Sequence, residues 1–403
     1  MIIQIILAIL IGCLFGIITG LTPGIHINLI SLILINMSGY FLGFTSPMSL
    51  AVFIIAMSIT HSFLDTIPAT FLGAPDPAVA LGVLPGHKLL LEGRGYEAVK
   101  LTVIGSLCSL ILTLLLIPVL IPVIPFLYEL ISPYIGYLLA FVIVFMVVKD
   151  LKLKKIMLNL FIVLLSGCLG LIVLNFPNLK QPLFPMLSGL FGTSALLMSL
   201  SNNVKIPEQK ITEDINVGIG KTSRALGAAT FSGILTGFLP GLGGAHAAII
   251  AMNLVGDIGS HAFMILIGGI NTVNFLFSIA TLYALEKARN GAIIAVMEIV
   301  KAITLPEMIL FLVSALIAGC IATFLALRIT KIFARIIPKI NYKVLCYSII
   351  SLVSVLVFVF AGFYGILVLI VATFIGMLPP LLGVSRSHGM GCLLIPVVMY
   401  FVI

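Results

Sequence analysis

Two proline-glycine pairs, each set inside a long apolar run, constrain this chain more than anything else in it. The first lies in Thr19-Gly20-Leu21-Thr22-Pro23-Gly24-Ile25. The second lies in Thr236-Gly237-Phe238-Leu239-Pro240-Gly241-Leu242, 217 positions later. Proline lacks a backbone N–H and its ring clashes with the preceding turn, while glycine tolerates positive φ, so each pair breaks a helix. In lipid a break survives only where protein or a water-filled cavity satisfies the freed backbone groups. Two breaks at matching places in two halves are the sequence pattern of a binding site at the middle of a membrane.

Composition places the chain in a bilayer. Its 403 residues are 61% hydrophobic and 8% charged, with a mean hydropathy of +1.32, against about 25% charged for soluble domains. Apolar runs at 101–119, 135–148, 308–327 and 344–360 approach the roughly 20 residues a spanning helix needs. Residues 2–18 have neither a basic leader nor a small-residue cleavage site, so they read as a retained helix. The net charge of +8 does not point to nucleic acid, because the basic residues sit in short loops between apolar runs. The six cysteines are scattered singly through apolar segments without metal-ligand spacing and read as small buried hydrophobes.

The expected fold is all-α: a multi-pass protein of the cell membrane with about 12 transmembrane or re-entrant helices. Residues 1–200 form a first repeat, 201–224 a polar cytoplasmic linker, and 225–403 a second repeat. Basic loops are expected at 149–155 and 328–343, and a last proline-rich break at Leu378-Pro379-Pro380. Outside the phrase, Phe63-Leu64 before Thr66-Ile67 matches Phe275-Leu276 before Ser278-Ile279. If the basic stretches at 86–100, 149–155, 201–224 and 328–343 all face the cytoplasm, the N-terminus lies outside. The two copies of the phrase then enter from opposite faces, which makes the repeats inverted.

Helix ends carry unpaired N–H groups and partial positive charge, so two broken helices aimed at the centre form a cradle for an anion. The candidate cradle residues are Thr19, Gly20, Pro23, Gly24, His26 and Asn28 in the first half. Their counterparts in the second are Thr236, Gly237, Pro240, Gly241, Gly243, Gly244 and His246, with Asn271 and Asn274 as neutral donors. A kink serving only packing is the plainer alternative, and polar contact between helices the alternative for Asn271, Thr272, Asn274 and Ser278. Ionisable residues in apolar runs are candidates for coupling. His61 and Asp65 are four residues apart and share a helix face; Asp76, between two prolines, offers a carboxylate for Na⁺. His87, Lys88 and Arg94 read as loop charges. No HExxH, G-x-S-x-G or Walker A sequence is present, so the chain is not expected to be an enzyme and no cofactor beyond a coupling Na⁺ or H⁺ is expected.

The paired G-x-x-P-G signatures, Gly20-Leu21-Thr22-Pro23-Gly24 and Gly237-Phe238-Leu239-Pro240-Gly241-Leu242-Gly243, resemble those of the tripartite tricarboxylate transporter permease family, the TctA-like large membrane subunit. Leu72-Gly73-Ala74-Pro75-Asp76-Pro77-Ala78 and Gly93-Arg94-Gly95-Tyr96-Glu97-Ala98 are similar to that family's first-half block. The resemblance covers most of the first 100 or so residues and roughly 225–285. His26 and Leu84-Pro85-Gly86-His87 depart from the pattern, which places the chain in a divergent, archaeal-type branch. The resemblance implies a secondary carrier of a di- or tricarboxylate, with a small membrane subunit and an extracytoplasmic binding protein as partners. Alternating access is expected from one repeat rocking against the other. The rival readings are a lipid-linked phosphate translocase and a non-transporting membrane subunit of a larger complex.

Overall fold

The computed structural model describes residues 2–22, 30–31, 34, 38–73, 83–149, 152–179, 181–200, 206–212, 215, 217–238, 244–288 and 290–402. Among the described residues there is no strand. Eight helices are long and apolar enough to cross a bilayer, and three shorter apolar ones accompany them. Taken with the apolar composition, this makes the protein an all-helical, multi-pass membrane protein.

The first half begins with α1 (Ile2–Leu21), followed after a one-turn helix by α2 (Pro47–Leu64) and α3 (Thr66–Phe71). α2 starts where Ser46 Oγ accepts a hydrogen bond from the Ser49 N–H at 3.2 Å, with Pro47 in the first turn. Then come α4 (Val83–Leu91), α5 (Gly95–Leu120), α6 (Ile124–Ile131), α7 (Ile135–Val148) and α8 (Leu153–Leu174). The half closes with α9 (Leu183–Leu187), a π-helical turn over Ser188–Thr193, and α10 (Ser194–Leu200).

The second half opens with α11 (Ile219–Phe238), α12 (Gly244–Val255) and α13 (Gly259–Leu285). After them come α14 (Gly291–Val300), α15 (Leu305–Ile336), α16 (Tyr342–Leu382), a 3-10 turn over Arg386–Met390, and α17 (Gly391–Val402). α15 opens on a capping box, with Glu307 Oε2 accepting from the Thr304 N–H at 2.7 Å.

Glycines set how closely these helices approach, as they do where small residues replace a hydrophobic driving force in lipid. Gly12, Gly16 and Gly20 share one face of α1. A methyl on them would stand 2.6 Å from the Phe53 carbonyl oxygen, 2.7 Å from that of Met57 and 3.0 Å from that of His61. α11 repeats the scheme on α13: a methyl on Gly233 would meet the Ile270 carbonyl at 3.1 Å, and one on Gly237 the Asn274 carbonyl at 3.1 Å. In both pairs the numbers rise together, so the two helices run the same way. The chain between α11 and α13 therefore has to turn back, and α12 makes the return. At 1.5 Å per residue, the 12 residues of α12 return it about 18 Å.

A second scheme is exchanged between halves. Gly170 on α8 lies against the Cys392 carbonyl, and Gly376 on α16 against that of Leu190. Gly189 faces Leu369 and Ala372, while Gly391 faces Val163 and Ser166. Each half thus lends its closing helix to the other. The helices consequently sort into two bundles, each built from both halves. α1–α5 pack with α11–α15, and α6–α10 pack with α16 and α17. Contact between the bundles is thin, with α13 against α6 the main pairing. At the centre of the first bundle, 89% of an apolar 18-residue stretch of α2–α3 and 83% of one in α13 are buried, against 33% for α1.

Three boundaries differ from expectation, and one interruption falls where the apolar run 344–360 ends. The basic stretch from 328 is helical to Ile336, with the Arg328 guanidinium over the Phe324 ring at 5.0 Å and the Lys331 ammonium over the Tyr96 ring at 5.8 Å. Pro379 and Pro380 do not end α16. It runs through them and stops at Gly383, whose φ is 70°. The interruption in α16 falls at Gly362, φ 68° and ψ −163°, a conformation open essentially to glycine alone. Finally, the polar stretch 201–224 is partly built in. Its last six residues belong to α11, and Gln209 pins 206–212 to the α4–α5 turn. Gln209 accepts from the Gly95 N–H at 2.8 Å and donates to the Leu90 carbonyl at 3.0 Å, while the Lys210 N–H reaches the Gly93 carbonyl at 2.8 Å.

Candidate functional site

The end of α1 is fastened to α2 by one polar contact. Thr19 Oγ1 stands 3.2 Å from His61 Nδ1, and both residues are 4% exposed. Thr19 Oγ1 also reaches back to the Gly16 carbonyl at 3.3 Å. Gly20 lies beside the His61 backbone, as it must, since a side chain there would collide with the His61 carbonyl and Leu64. Asp65, one turn further on and also 4% exposed, closes α2 through its N–H to the His61 carbonyl at 2.9 Å. The Thr22 hydroxyl donates to the Ile18 carbonyl at 2.7 Å, so the helix holds up to the threshold of the first proline.

The second half carries the same arrangement with different chemistry. Asn274 Nδ2 donates to Thr236 Oγ1 at 3.1 Å, and Gly237 lies beside the Asn274 backbone and Phe277. The Ser278 hydroxyl donates to the Asn274 carbonyl at 2.7 Å and reaches the Gly237 carbonyl at 3.4 Å. Thr272 bonds back to the Gly268 carbonyl at 3.3 Å, and Asn271 is buried on the same helix. Matched by contact, His61 corresponds to Asn274, Leu64 to Phe277 and Asp65 to Ser278. That register is one residue away from the Phe63-Leu64 to Phe275-Leu276 match the sequence suggests.

Of the other expected site residues, Pro23, Gly24, His26, Asn28, Asp76, Pro240, Gly241 and Gly243 lie outside the described residues. Gly244 begins α12 and His246 follows within it.

Three features were not legible in the sequence. First, Glu97 is 5% exposed and joins the halves. It takes a bidentate pair from Arg94 at 2.7 Å on both oxygens, and His261 Nε2 stands 3.1 Å away. The Glu97 carboxylate holds the Arg94 guanidinium above its ordinary pKa. Second, His87 is buried in α4 with Nδ1 3.3 Å from the Thr70 carbonyl, and its burial pushes the imidazole below its ordinary value despite that contact. It is not a loop charge, because the short helix folds it inward. Third, a cavity of about 330 Å³ opens where the α12–α13 turn of one bundle meets the 3-10 turn before α17 of the other, with Arg386 in its wall.

Paired Thr-Gly helix ends, each tied to a buried polar residue of a central helix, are the frame in which the two proline-glycine signatures sit. The family model that matches this sequence, over residues 6–391, is that of the tripartite tricarboxylate transporter TctA family. The chain belongs to that family. It is therefore a membrane permease of a tripartite system and no enzyme, and organic-anion transport with partner subunits comes with the family. The chain is also 29% identical, over 402 residues and 98% of both chains, to an uncharacterized protein of Methanocaldococcus jannaschii. No solved structure matches.

Proposed function

We propose that this TctA-family permease carries a small di- or tricarboxylate by alternating access, coupled to Na⁺ or H⁺, with both proline-glycine loops at the substrate. The observation that carries the proposal is the pair of contacts Thr19–His61 and Thr236–Asn274. They tie the helix ends that precede the two proline-glycine pairs, by the same register, to the two most buried of the candidate spans.

Chain direction supports an inverted relation of the repeats. α2–α3 and α5 run oppositely: Thr66 meets Thr102 at 3.2 Å, while Ile59, Phe63 and Leu110 come together around Gly319. α5 and α13 rise together through Glu97–His261, Gly105–Ile265 and Ser109–Gly269. α2 and α13 are then antiparallel. Thr66 and Gly268 flank Thr102 from either side. His61 and Asn274 lie five and six residues from those points, about 8–9 Å along each helix. Both tethers thus fall at similar depth.

The exchanged helices change what can move. Neither half is a unit, so one repeat cannot rock against the other. The thinly joined bundles are the bodies whose relative displacement would switch access. Coupling belongs to the first half, where His61 and Asp65 are titratable and their counterparts Asn274 and Ser278 are not. A small membrane subunit and an extracytoplasmic binding protein complete the proposed system.

The test is uptake of labelled citrate, succinate and related carboxylates into proteoliposomes under imposed Na⁺ or H⁺ gradients. Gradient-driven uptake that is lost in His61→Asn, with the protein still folded, is the expected result. No uptake of any carboxylate under either gradient, with or without the partner subunits, overturns the reading.

A further inference from the structure

The cavity between the bundles contains a guanidinium that the repeat does not explain. By the contacts that match Gly391 to Gly189, Arg386 stands where the first half has Phe184, so packing at this position does not call for a charge. Among the described residues no carboxylate pairs with Arg386. Nη2 donates only to the Met198 sulfur at 3.5 Å, and Nη1 is shut off from water with no acceptor. A buried donor without an acceptor is costly, and for a charged group more so.

The turn that holds it is firmly placed. His388 Nδ1 lies 2.9 Å from the Ser385 carbonyl and Nε2 3.2 Å from that of Met146, and the Ser387 N–H donates to Ser385 Oγ at 3.3 Å. Ser260 from one bundle and Ser385 and Ser387 from the other line the cavity, and Pro85, Phe191 and Phe263 supply apolar surface. A volume of about 330 Å³ suits a small organic molecule. Ser260 in the cavity wall directly precedes His261, which meets Glu97 and through it Arg94, at the end of the molecule where the basic residues gather, which positive-inside bias makes the cytoplasmic one.

We propose that Arg386 binds a carboxylate of the transported anion at this inner mouth. The proposal rests on the carboxylate reading above. Because the cavity is walled by both bundles, a ligand held there senses their relative position. Asp257 also faces the cavity, its Oδ1 accepting from the Gly259 N–H at 3.0 Å. Its charge opposes the ligand and confines the carboxylate to the Arg386 side.

The experiment measures binding of labelled citrate and succinate to the full-length protein in phosphatidylcholine nanodiscs, alongside uptake by proteoliposomes. Arg386→Gln is expected to weaken binding by about 10- to 100-fold, the range for losing a charge-assisted hydrogen bond. Arg386→Lys should fall between, since an ammonium lacks the two-pronged geometry. Asp257→Asn keeps an oxygen for the Gly259 N–H and is expected to tighten binding, a change opposite in sign that a purely structural pair of residues would not give. Equal affinity of Arg386→Gln and wild type, or weaker binding by Asp257→Asn, overturns the proposal. So does carboxylate binding unaffected by Arg386 while phosphatidylglycerol is retained in an Arg386-dependent way, which would make this a lipid site. Arg386-dependent binding without gradient-driven uptake would sink the transport reading and leave this site standing; uptake indifferent to Arg386 would do the reverse.

Discussion

Gly105, Gly268, Gly170 and Gly376 each face a backbone carbonyl of another helix at a separation no Cβ could share. The obstacle in each case is main chain, which cannot rotate aside. Gly105→Val should therefore separate α5 from α13 and cost about 1–3 kcal/mol or more. It would be read as a lower melting temperature of the solubilised protein. Gly220→Ala, where nothing lies within 4 Å, should instead be neutral or stabilising by up to about 1 kcal/mol. His87 makes a second prediction at this scale. Its folded pKa lies below the ordinary 6.5, so just under that pH the unfolded chain binds the extra proton. Its contribution to stability is whole above pH 6.5 and shrinks as pH falls below it. Melting temperature should drop over that window, and His87→Gln should flatten the dependence. Sequence spacing showed His87 only as a loop charge, because nothing in its neighbours signals that α4 folds the ring beneath Thr70.

At the scale of elements, the prolines and glycines of α16 reverse the usual expectation. Pro379 and Pro380 stay within the helix, and the chain stops one turn later at Gly383. Each proline withholds its N–H from the carbonyl four residues back, Ile375 and Gly376, yet the helix carries on to its glycine cap. The genuine interruption is Gly362, just past the end of the apolar run 344–360. Gly362→Ala is expected to cost about 1–3 kcal/mol through backbone strain alone, because its Cβ would meet open space. Gly383→Asn should be tolerated, since asparagine adopts the left-handed cap conformation. Thermal unfolding of the two variants side by side checks both. Helix existence was legible from the apolar runs; helix ends were not, as α15 shows by carrying Arg328 and Lys331 over aromatic rings instead of into a loop.

At the scale of the whole molecule, the repeats and the moving parts are different divisions of the chain. Each bundle takes helices from both halves, and the closing helices are exchanged through Gly170–Cys392 and Gly376–Leu190. If the bundles shift against each other during transport, a bridge between them should stop the cycle. Cysteines placed at Ser260 and Ser387, on opposite walls of the cavity, in a background lacking the six native cysteines, are expected to abolish uptake when joined by a reducible bifunctional reagent. Uptake should return on reduction. A bridge within one bundle, between positions 15 and 53, whose rings already meet between α1 and α2, should leave uptake intact. Equal inhibition by both bridges would argue against movement between bundles.

The amino-acid order alone determined that this chain lives in a bilayer, that it is helical, and that it carries a doubled Pro-Gly phrase, because hydropathy and backbone chemistry are local properties read over a few residues. It also carried enough of the signature to point to the family. Which helix partners which, that His61 answers to Asn274, and that Arg386 stands in a cavity beside Asp257 were settled only by tertiary packing. The reason is physical: in lipid the partners are chosen by small residues meeting distant carbonyls, and a glycine does not announce which carbonyl it will meet.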